Sequence, residues 1–229
     1  STRRQDHVKR ALARGLTVAA VLALAACGGG GSDGGGTVVA TGGIIGGTGF
    51  KGPVGNATVT AYAVSGGSPG AQIGTATTDA GGKFSVSIGN YSGPVMLQLS
   101  GGTYVDEATG ATMNMASGDV MTAILPTVVA GATINGIQMT PLTSMAQTAA
   151  QHLSGGMTDA NIASANTAVG TYFMVSDILH VSPMNPLVAG SGSTGSQDSI
   201  NYGMAMAAMS QYAKGQGMTV SSAFVTAMM

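Results

Sequence analysis

The sequence predicts an α+β chain: an antiparallel β-sandwich followed by a small helical region, with a signal peptide and a flexible linker ahead of both. Three observations predict it. Short runs of alternating apolar residues recur from Ala57 to Leu99, separated by turns rich in Gly, Asn, Ser and Pro. From Thr140 onward the apolar residues shift to helical spacing behind capping residues. Before all of this come a basic segment, an uncharged apolar run and a glycine tract.

A chain of 229 residues with 44% hydrophobic content has enough apolar surface for a packed core. Only 7% of its residues are charged, against ~25% in an average soluble protein, so hydroxyls and amides must cover the surface. Five of the eight basic residues (Arg3, Arg4, Lys9, Arg10 and Arg14) precede Cys27, and three basic and eight acidic residues follow it. A mildly acidic body without a basic patch argues against nucleic acid as a partner. With Cys27 the sole cysteine, no intrachain disulfide supports the fold.

Residues 1–14 form a basic segment, and Gly15 to Ala26 an uncharged apolar run, shorter than the ~20 residues a membrane-spanning helix needs. Leu24-Ala25-Ala26-Cys27 closes that run. It resembles the lipobox of bacterial lipoproteins position by position. The resemblance implies that residues 1–26 are a lipoprotein signal peptide, cut between Ala26 and Cys27. It also implies that the Cys27 thiol carries a diacylglyceryl group with palmitate-type chains. Such chains anchor a protein durably, at about 0.8 kcal/mol per buried CH₂. Arg3-Arg4 is followed by Gln5-Asp6-His7 rather than apolar residues, which favours general export over the twin-arginine route. Gly28, in place of the Asp that favours inner-membrane retention in enterobacterial lipoproteins, implies an outer-membrane destination. Residues 27–47 are read as the lipidated cysteine and a Gly-rich linker, in which Gly28 to Gly36 span roughly 16 Å as a flexible coil. Thr37 to Thr41 and Ile44-Ile45 are read as the approach to a first strand.

Residues 48–138 are read as the sandwich. Ala57, Val59, Ala61 and Ala63 share one face of a strand; Phe84, Val86 and Ile88 do so in another, and Val95, Leu97 and Leu99 in a third. Ile73 to Thr78 is a weaker, threonine-rich strand. Further strand-like material from Ala111 to Met139 brings the count to about seven. Gly52-Pro53-Val54-Gly55-Asn56-Ala57-Thr58-Val59, followed by Thr77-Thr78-Asp79-Ala80-Gly81-Gly82-Lys83-Phe84, resembles the carboxypeptidase regulatory-like (transthyretin-like, Ig-like) module of secreted bacterial proteins. In that turn Asp79 is expected to cap its own loop, Gly82 to supply a positive φ and Phe84 to return to the core, with Thr78 leading in. The resemblance covers roughly residues 48–100 and implies a binding or spacer role.

Residues 139–229 are read as helical. Thr140 is placed to cap a helix with Pro141 at its first position, and Leu142, Met145, Ala146, Ala149 and Leu153 follow at helical spacing until Gly155-Gly156. A second helix starts at Thr158-Asp159 with Ile162, Ala165, Val169 and Tyr172 or Phe173 on its apolar side, and a third runs from about Asp198 to Lys214 with Met206, Met209 and Tyr212. The Thr140 to Thr143 entry and Ala165-Asn166 resemble a segment that follows transthyretin-like modules in some large proteobacterial lipoproteins. Ser221 to Met229 reads as the start of a fourth helix, which suggests a longer native chain.

No catalytic constellation emerges. Gly66-Gly67-Ser68-Pro69-Gly70 spells a nucleophile elbow, but strand-type sequence follows it instead of a helix. Gly47-Thr48-Gly49-Phe50-Lys51-Gly52 spells a dinucleotide fingerprint with Pro53 where the helix should begin. His152 and His180 have no metal-ligand spacing. Asp106-Glu107 would offer oxygens to Ca²⁺ but are too few alone, and they read as a hydrated loop. Met113-Asn114-Met115 and Met204-Ala205-Met206 have a form that Cu(I) favours, although methionine also fills irregular cores. The expectation is therefore a non-enzymatic, lipid-anchored envelope protein with no cofactor or metal beyond the lipid on Cys27. Its role would be structural, adhesive or glycan-binding, with an exposed strip of Tyr62, Tyr91 or Tyr104 as the mark of glycan binding. The alternatives are an accessory or processing domain of an envelope hydrolase and a Met-rich copper-binding periplasmic protein.

Overall fold

The computed structural model describes residues 42–218. Leu24 to Cys27, the Gly28 to Gly36 tract, Thr37 to Thr41 and Ser221 to Met229 lie outside the described residues. The fold is mixed α+β, with nine strands and four helices among the described residues. The strands are β1 (Gly43–Gly49), β2 (Thr58–Ser65), β3 (Ser68–Thr77), β4 (Lys83–Gly89), β5 (Gly93–Ser100), β6 (Thr103–Val105), β7 (Thr112–Asn114), β8 (Val120–Val128) and β9 (Thr133–Met139). The helices are α1 (Pro141–His152), α2 (Asp159–Phe173), α3 (Ser191–Thr194) and α4 (Gln197–Gly215). β1 therefore occupies the end of the segment read as linker.

The strands form a three-stranded sheet in the order β4-β1-β9, a four-stranded sheet in the order β3-β2-β5-β8, and the β6-β7 hairpin. Pairing is antiparallel throughout except between β1 and β9, which run parallel. That pair departs from the antiparallel expectation because it joins segments some ninety positions apart, beyond the reach of any hairpin signal.

β4 shows the simplest link from sequence to packing. Phe84, Val86 and Ile88 are buried while Lys83, Ser85, Ser87 and Gly89 face solvent. The buried row joins Ile45, Ile137 and Met139 of the same sheet and Val59, Ala61, Val95, Leu97, Leu99, Met121, Ala123 and Leu125 of the larger sheet in one apolar cluster. The two sheets thus face each other across a shared core. The β2-β3 turn is tighter than the sequence suggests. Gly66 and Gly67 carry φ of 58° and 77°, the type I′ signature, and β3 begins at once with Ser68. Pro69 is tolerated because β3 is an edge strand.

The larger sheet is covered on its second face too. Val64 of β2, Met96 of β5 and Ile124 of β8 belong to a second apolar cluster with Leu142, Ala146, Ile162, Ala165, Tyr202 and Met206 of the helices. β5 and β8 consequently bury both faces, and the described sheets and helices belong to one compact unit.

α1 begins directly after β9, capped as expected. The Thr143 amide donates to the Thr140 hydroxyl (3.2 Å), and the Thr140 amide donates to Thr143 Oγ1 (2.8 Å). The buried face differs from the expected one. Thr143, Ser144 and Gln147 are buried, whereas Ala149 and Leu153 are exposed. The cause is the free edge of β8. The Thr122 amide donates to Ser144 Oγ (2.8 Å), Thr143 Oγ1 donates to the Thr122 carbonyl (2.7 Å), and the Thr122 hydroxyl donates to Gln147 Oε1 (3.1 Å). α2 continues the same edge, with Asp159 Oδ1 accepting from the Thr127 amide (2.8 Å) and Asn166 donating to the Ile124 carbonyl (3.4 Å).

α4 is tied in by Tyr202, which is fully buried. Its phenol donates to the Ile178 carbonyl (2.8 Å), which leaves the Thr140 hydroxyl to donate to Tyr202 Oη (2.7 Å). Burial pushes the phenol above its ordinary value of 10.0. At the start of α4, Asp198 accepts from the Ser176 hydroxyl and amide, which hold its carboxyl below the ordinary 3.8. Thr140 therefore serves α1 and α4 together. Replacing it, Thr140→Ala, is expected to cost about 1–2 kcal/mol in urea unfolding, and Thr140→Ser to cost much less.

Candidate functional site

The chemically densest place in the molecule is a buried cluster around Lys51. Lys51 lies in the link between β1 and β2, and that link is held against β6 by backbone contacts. The Gly55 amide donates to the Thr103 carbonyl (2.8 Å), and the Thr103 amide donates to the Gly55 carbonyl (2.9 Å). Gly52 has φ +57°, and a Cβ there would lie 2.4 Å from the Val105 carbonyl oxygen, so glycine permits the approach. The residues just past β6 are Asp106 and Glu107, and the pairing delivers them to Lys51. α4 supplies Ser210 from the other side.

Lys51 Nζ donates to Ser210 Oγ (2.7 Å) and to Glu107 Oε2 (3.3 Å), and stands 3.8 Å from Asp106 Oδ2. Ser210 Oγ also lies 2.7 Å from Glu107 Oε2. The ammonium sits 5.0 Å from the centre of the Tyr104 ring. All five residues are at least nine-tenths buried. The Asp106 Oδ1 atom accepts from the amides of Ala108 and Thr109 and from the Thr109 hydroxyl, each at 3.0 Å. Glu107 Oε1 has no hydrogen-bond partner. The hydrated-loop reading of Asp106-Glu107 is therefore corrected: the two carboxylates turn inward onto an amine 55 and 56 positions away in sequence. Among the described residues no group of three or more His, Cys, Asp or Glu side chains converges as a metal site.

The turn that carries the family resemblance lies on the same β1-β2 link. Asp79 Oδ1 accepts from the amides of Gly81 (2.8 Å) and Lys83 (2.9 Å). Thr78 is buried; its hydroxyl donates to the Val54 carbonyl (2.7 Å) and accepts from the Ala57 amide (2.8 Å). Gly82 has φ +79° and its carbonyl accepts from the Gly49 amide (2.8 Å). Phe84 enters the inter-sheet core. These four residues act on one loop and hold β4 against β1.

The remaining candidates are dispersed. Ser68 opens β3 and sits in a strand-turn-strand hairpin, not in an elbow. His152 bonds the Thr148 carbonyl (2.8 Å) in the last turn of α1. His180 pairs with Asp177 (2.7 Å), both half-exposed, beside an apolar cavity of about 180 Å³ lined by Leu125, Val128, Ile134 and Ile137. Among the described residues neither histidine bonds a side-chain hydroxyl. Met113 and Met115 pack on the inter-sheet core, while Met204 is exposed and Met206 is buried against the sheet. Tyr104 is buried, Tyr62 packs against the helical cluster, and the Tyr91 hydroxyl bonds the Val64 and Pro94 carbonyls, so the three form no exposed strip.

No family model matches the chain. No curated protein matches it either. Among solved structures it is similar to a 9R-lipoxygenase from Cyanothece PCC8801, at 15% identity and a TM-score of 0.31, over 44% of this chain and 16% of that one. The chain thus spans well under two thirds of that enzyme, and a likeness at this score carries no argument about fold or activity.

Sequence reasoning did not find Lys51 or Ser210 as parts of this cluster, and it read Tyr104 as a candidate for an exposed strip where the structure buries it beside the Lys51 ammonium. A signal existed: Lys51 is one of three lysines after Cys27 and is flanked by Phe50 and Gly52-Pro53, an apolar and tightly turned setting unusual for a solvated cation. The Asp79 turn yields a direct comparison of two glycines. A Cβ at Gly82 would lie 2.5 Å from the Gly49 carbonyl oxygen, whereas at Gly89 (φ +58°) nothing lies within 4 Å. In urea unfolding, Gly89→Ala is expected to cost about 1–2 kcal/mol for the left-handed backbone alone, and Gly82→Ala more than about 3 kcal/mol.

Proposed function

We propose that this chain is an exported, lipid-anchored lipoprotein of the cell envelope with a non-catalytic structural or adhesive role. The observation that carries the reading is Leu24-Ala25-Ala26-Cys27, with a basic segment and apolar run before it and a glycine tract after it. Acyl chains on Cys27 would hold the protein at the membrane, and an outer-membrane location is part of the same reading. No helix among the described residues is long and apolar enough to cross a membrane. The Gly-rich tract would set the folded body off from the lipid surface by a short flexible tether.

The two-sheet body is proposed to be a transthyretin-like, carboxypeptidase regulatory-like module. In support, the Thr78-Asp79 turn, the positive φ at Gly82 and the inward Phe84 play the physical parts that the motif requires. A structural role is favoured over a glycan platform. Tyr62, Tyr91 and Tyr104 are committed to packing and backbone bonds, and the well-exposed rings are Tyr172 and Tyr212 on the helices. A partner in the envelope would accordingly be met through the helical side, a protein surface suiting such scattered apolar residues better than a sugar.

Metabolic labelling with a palmitate analogue tests the reading. The full-length chain is expected to take up label and partition with membranes, and Cys27→Ser to lose both. Equal labelling of wild type and Cys27→Ser would overturn it.

A further inference from the structure

We propose that Lys51 and Asp106 become joined by an intramolecular amide bond between Lys51 Nζ and Asp106 Cγ, assisted by Glu107. The reactants are already in contact, with Nζ 3.8 Å from Asp106 Oδ2 and both side chains shielded from solvent. In water an amine and a carboxylate do not condense, because hydration stabilises both ions and water competes as product. A dry, pre-oriented pair escapes both penalties and gains the effective concentration of an intramolecular reaction.

The two oxygens of Asp106 have different surroundings. Oδ1 is held by three donors at 3.0 Å each, two of them backbone amides. This is the arrangement that stabilises an oxyanion when a carbonyl carbon becomes tetrahedral. Oδ2 faces the amine and is placed to leave. Glu107 lies nearer to Nζ than Asp106 does, but its Oε1 has no donor, so attack on Glu107 would place negative charge on an unsupported buried oxygen. Glu107 instead fits the task of moving protons. Its Oε2 reaches Nζ directly at 3.3 Å and, through Ser210, by two steps of 2.7 Å.

The step balances without any co-reactant. Glu107 takes a proton from the Lys51 ammonium, and the freed amine attacks Asp106 Cγ, sending an electron pair onto Oδ1. Glu107 delivers that proton to Oδ2, a second proton follows from nitrogen, and collapse of the intermediate breaks the Cγ–Oδ2 bond. One ammonium and one carboxylate become one amide and one water, with nothing oxidised or reduced. The bond would lock the β1-β2 link to the loop after β6, beneath α4.

Trypsin digestion of the denatured full-length protein, read by mass spectrometry, tests this. Acylated Lys51 resists trypsin, so the peptide ending at Lys83 and the peptide Phe84–Lys214 are expected to remain joined, 18 Da below the sum of their masses. Fragmentation should place the branch at Lys51 and Asp106. Lys51→Met should abolish the branch, and Glu107→Gln should slow its formation roughly 100-fold. Cleavage after Lys51 in wild-type protein that had folded before it was denatured, an 18 Da loss without a branch, or a branch at Glu107 would each overturn the proposal, whether or not the variants fold.

Discussion

Among the described residues β8 pairs with β5 on one side and with no strand on the other, yet that second edge lies beneath two helices. Buried backbone groups without partners cost about 1–3 kcal/mol each, so the edge must be satisfied from the helices or the layer cannot form. Ser144 and Thr143 take the Thr122 amide and carbonyl, Asn166 takes the Ile124 carbonyl, and Asp159 takes the Thr127 amide. This requirement sets the rotation of α1 about its axis and the start of α2. Once those are placed, Leu142, Ala146, Ile162 and Ala165 fall over Ile124, Met96 and Val64, and the second apolar cluster follows. Side-chain capping also blunts an edge that would otherwise invite pairing with another chain.

A second organising segment is the link between β1 and β2. The Phe50 amide bonds Met139 at the end of β9, Gly49 and Val54 meet the Asp79 turn, Gly55 pairs with β6, and Lys51 receives the acidic pair and Ser210. A few residues of irregular backbone thus touch both sheets, the β6-β7 hairpin and α4. Its glycines and Pro53 keep the path tight, and its one cation is surrounded by protein instead of water.

What could be read from the sequence was what depends on near neighbours. The Phe84, Val86 and Ile88 alternation, the Thr140-Pro141 helix entry, the Thr158 cap and the Asp79 turn each involve residues within a few positions, and each forms in the structure. What was misread depends on distant ones. Polar Thr143, Ser144 and Gln147 point inward because of β8, some twenty positions earlier, and a hydrophobic pattern alone places Ala149 and Leu153 there instead. Asp106 and Glu107 look hydrated until Lys51 is brought to them by the Gly55 and Thr103 pairing. The parallel β1-β9 pair has no local signature for the same reason.

The central claim is that the helices are bonded to the sheet as one cooperative body, with the β8 edge as the joint. Native-state hydrogen exchange, resolved by mass spectrometry over α1, β5 and β8, tests it most directly. The account predicts that amides of α1 and β8 exchange through one opening of the same free energy, close to that of β5. Exchange of α1 at markedly lower free energy, with β5 and β8 still protected, would contradict it.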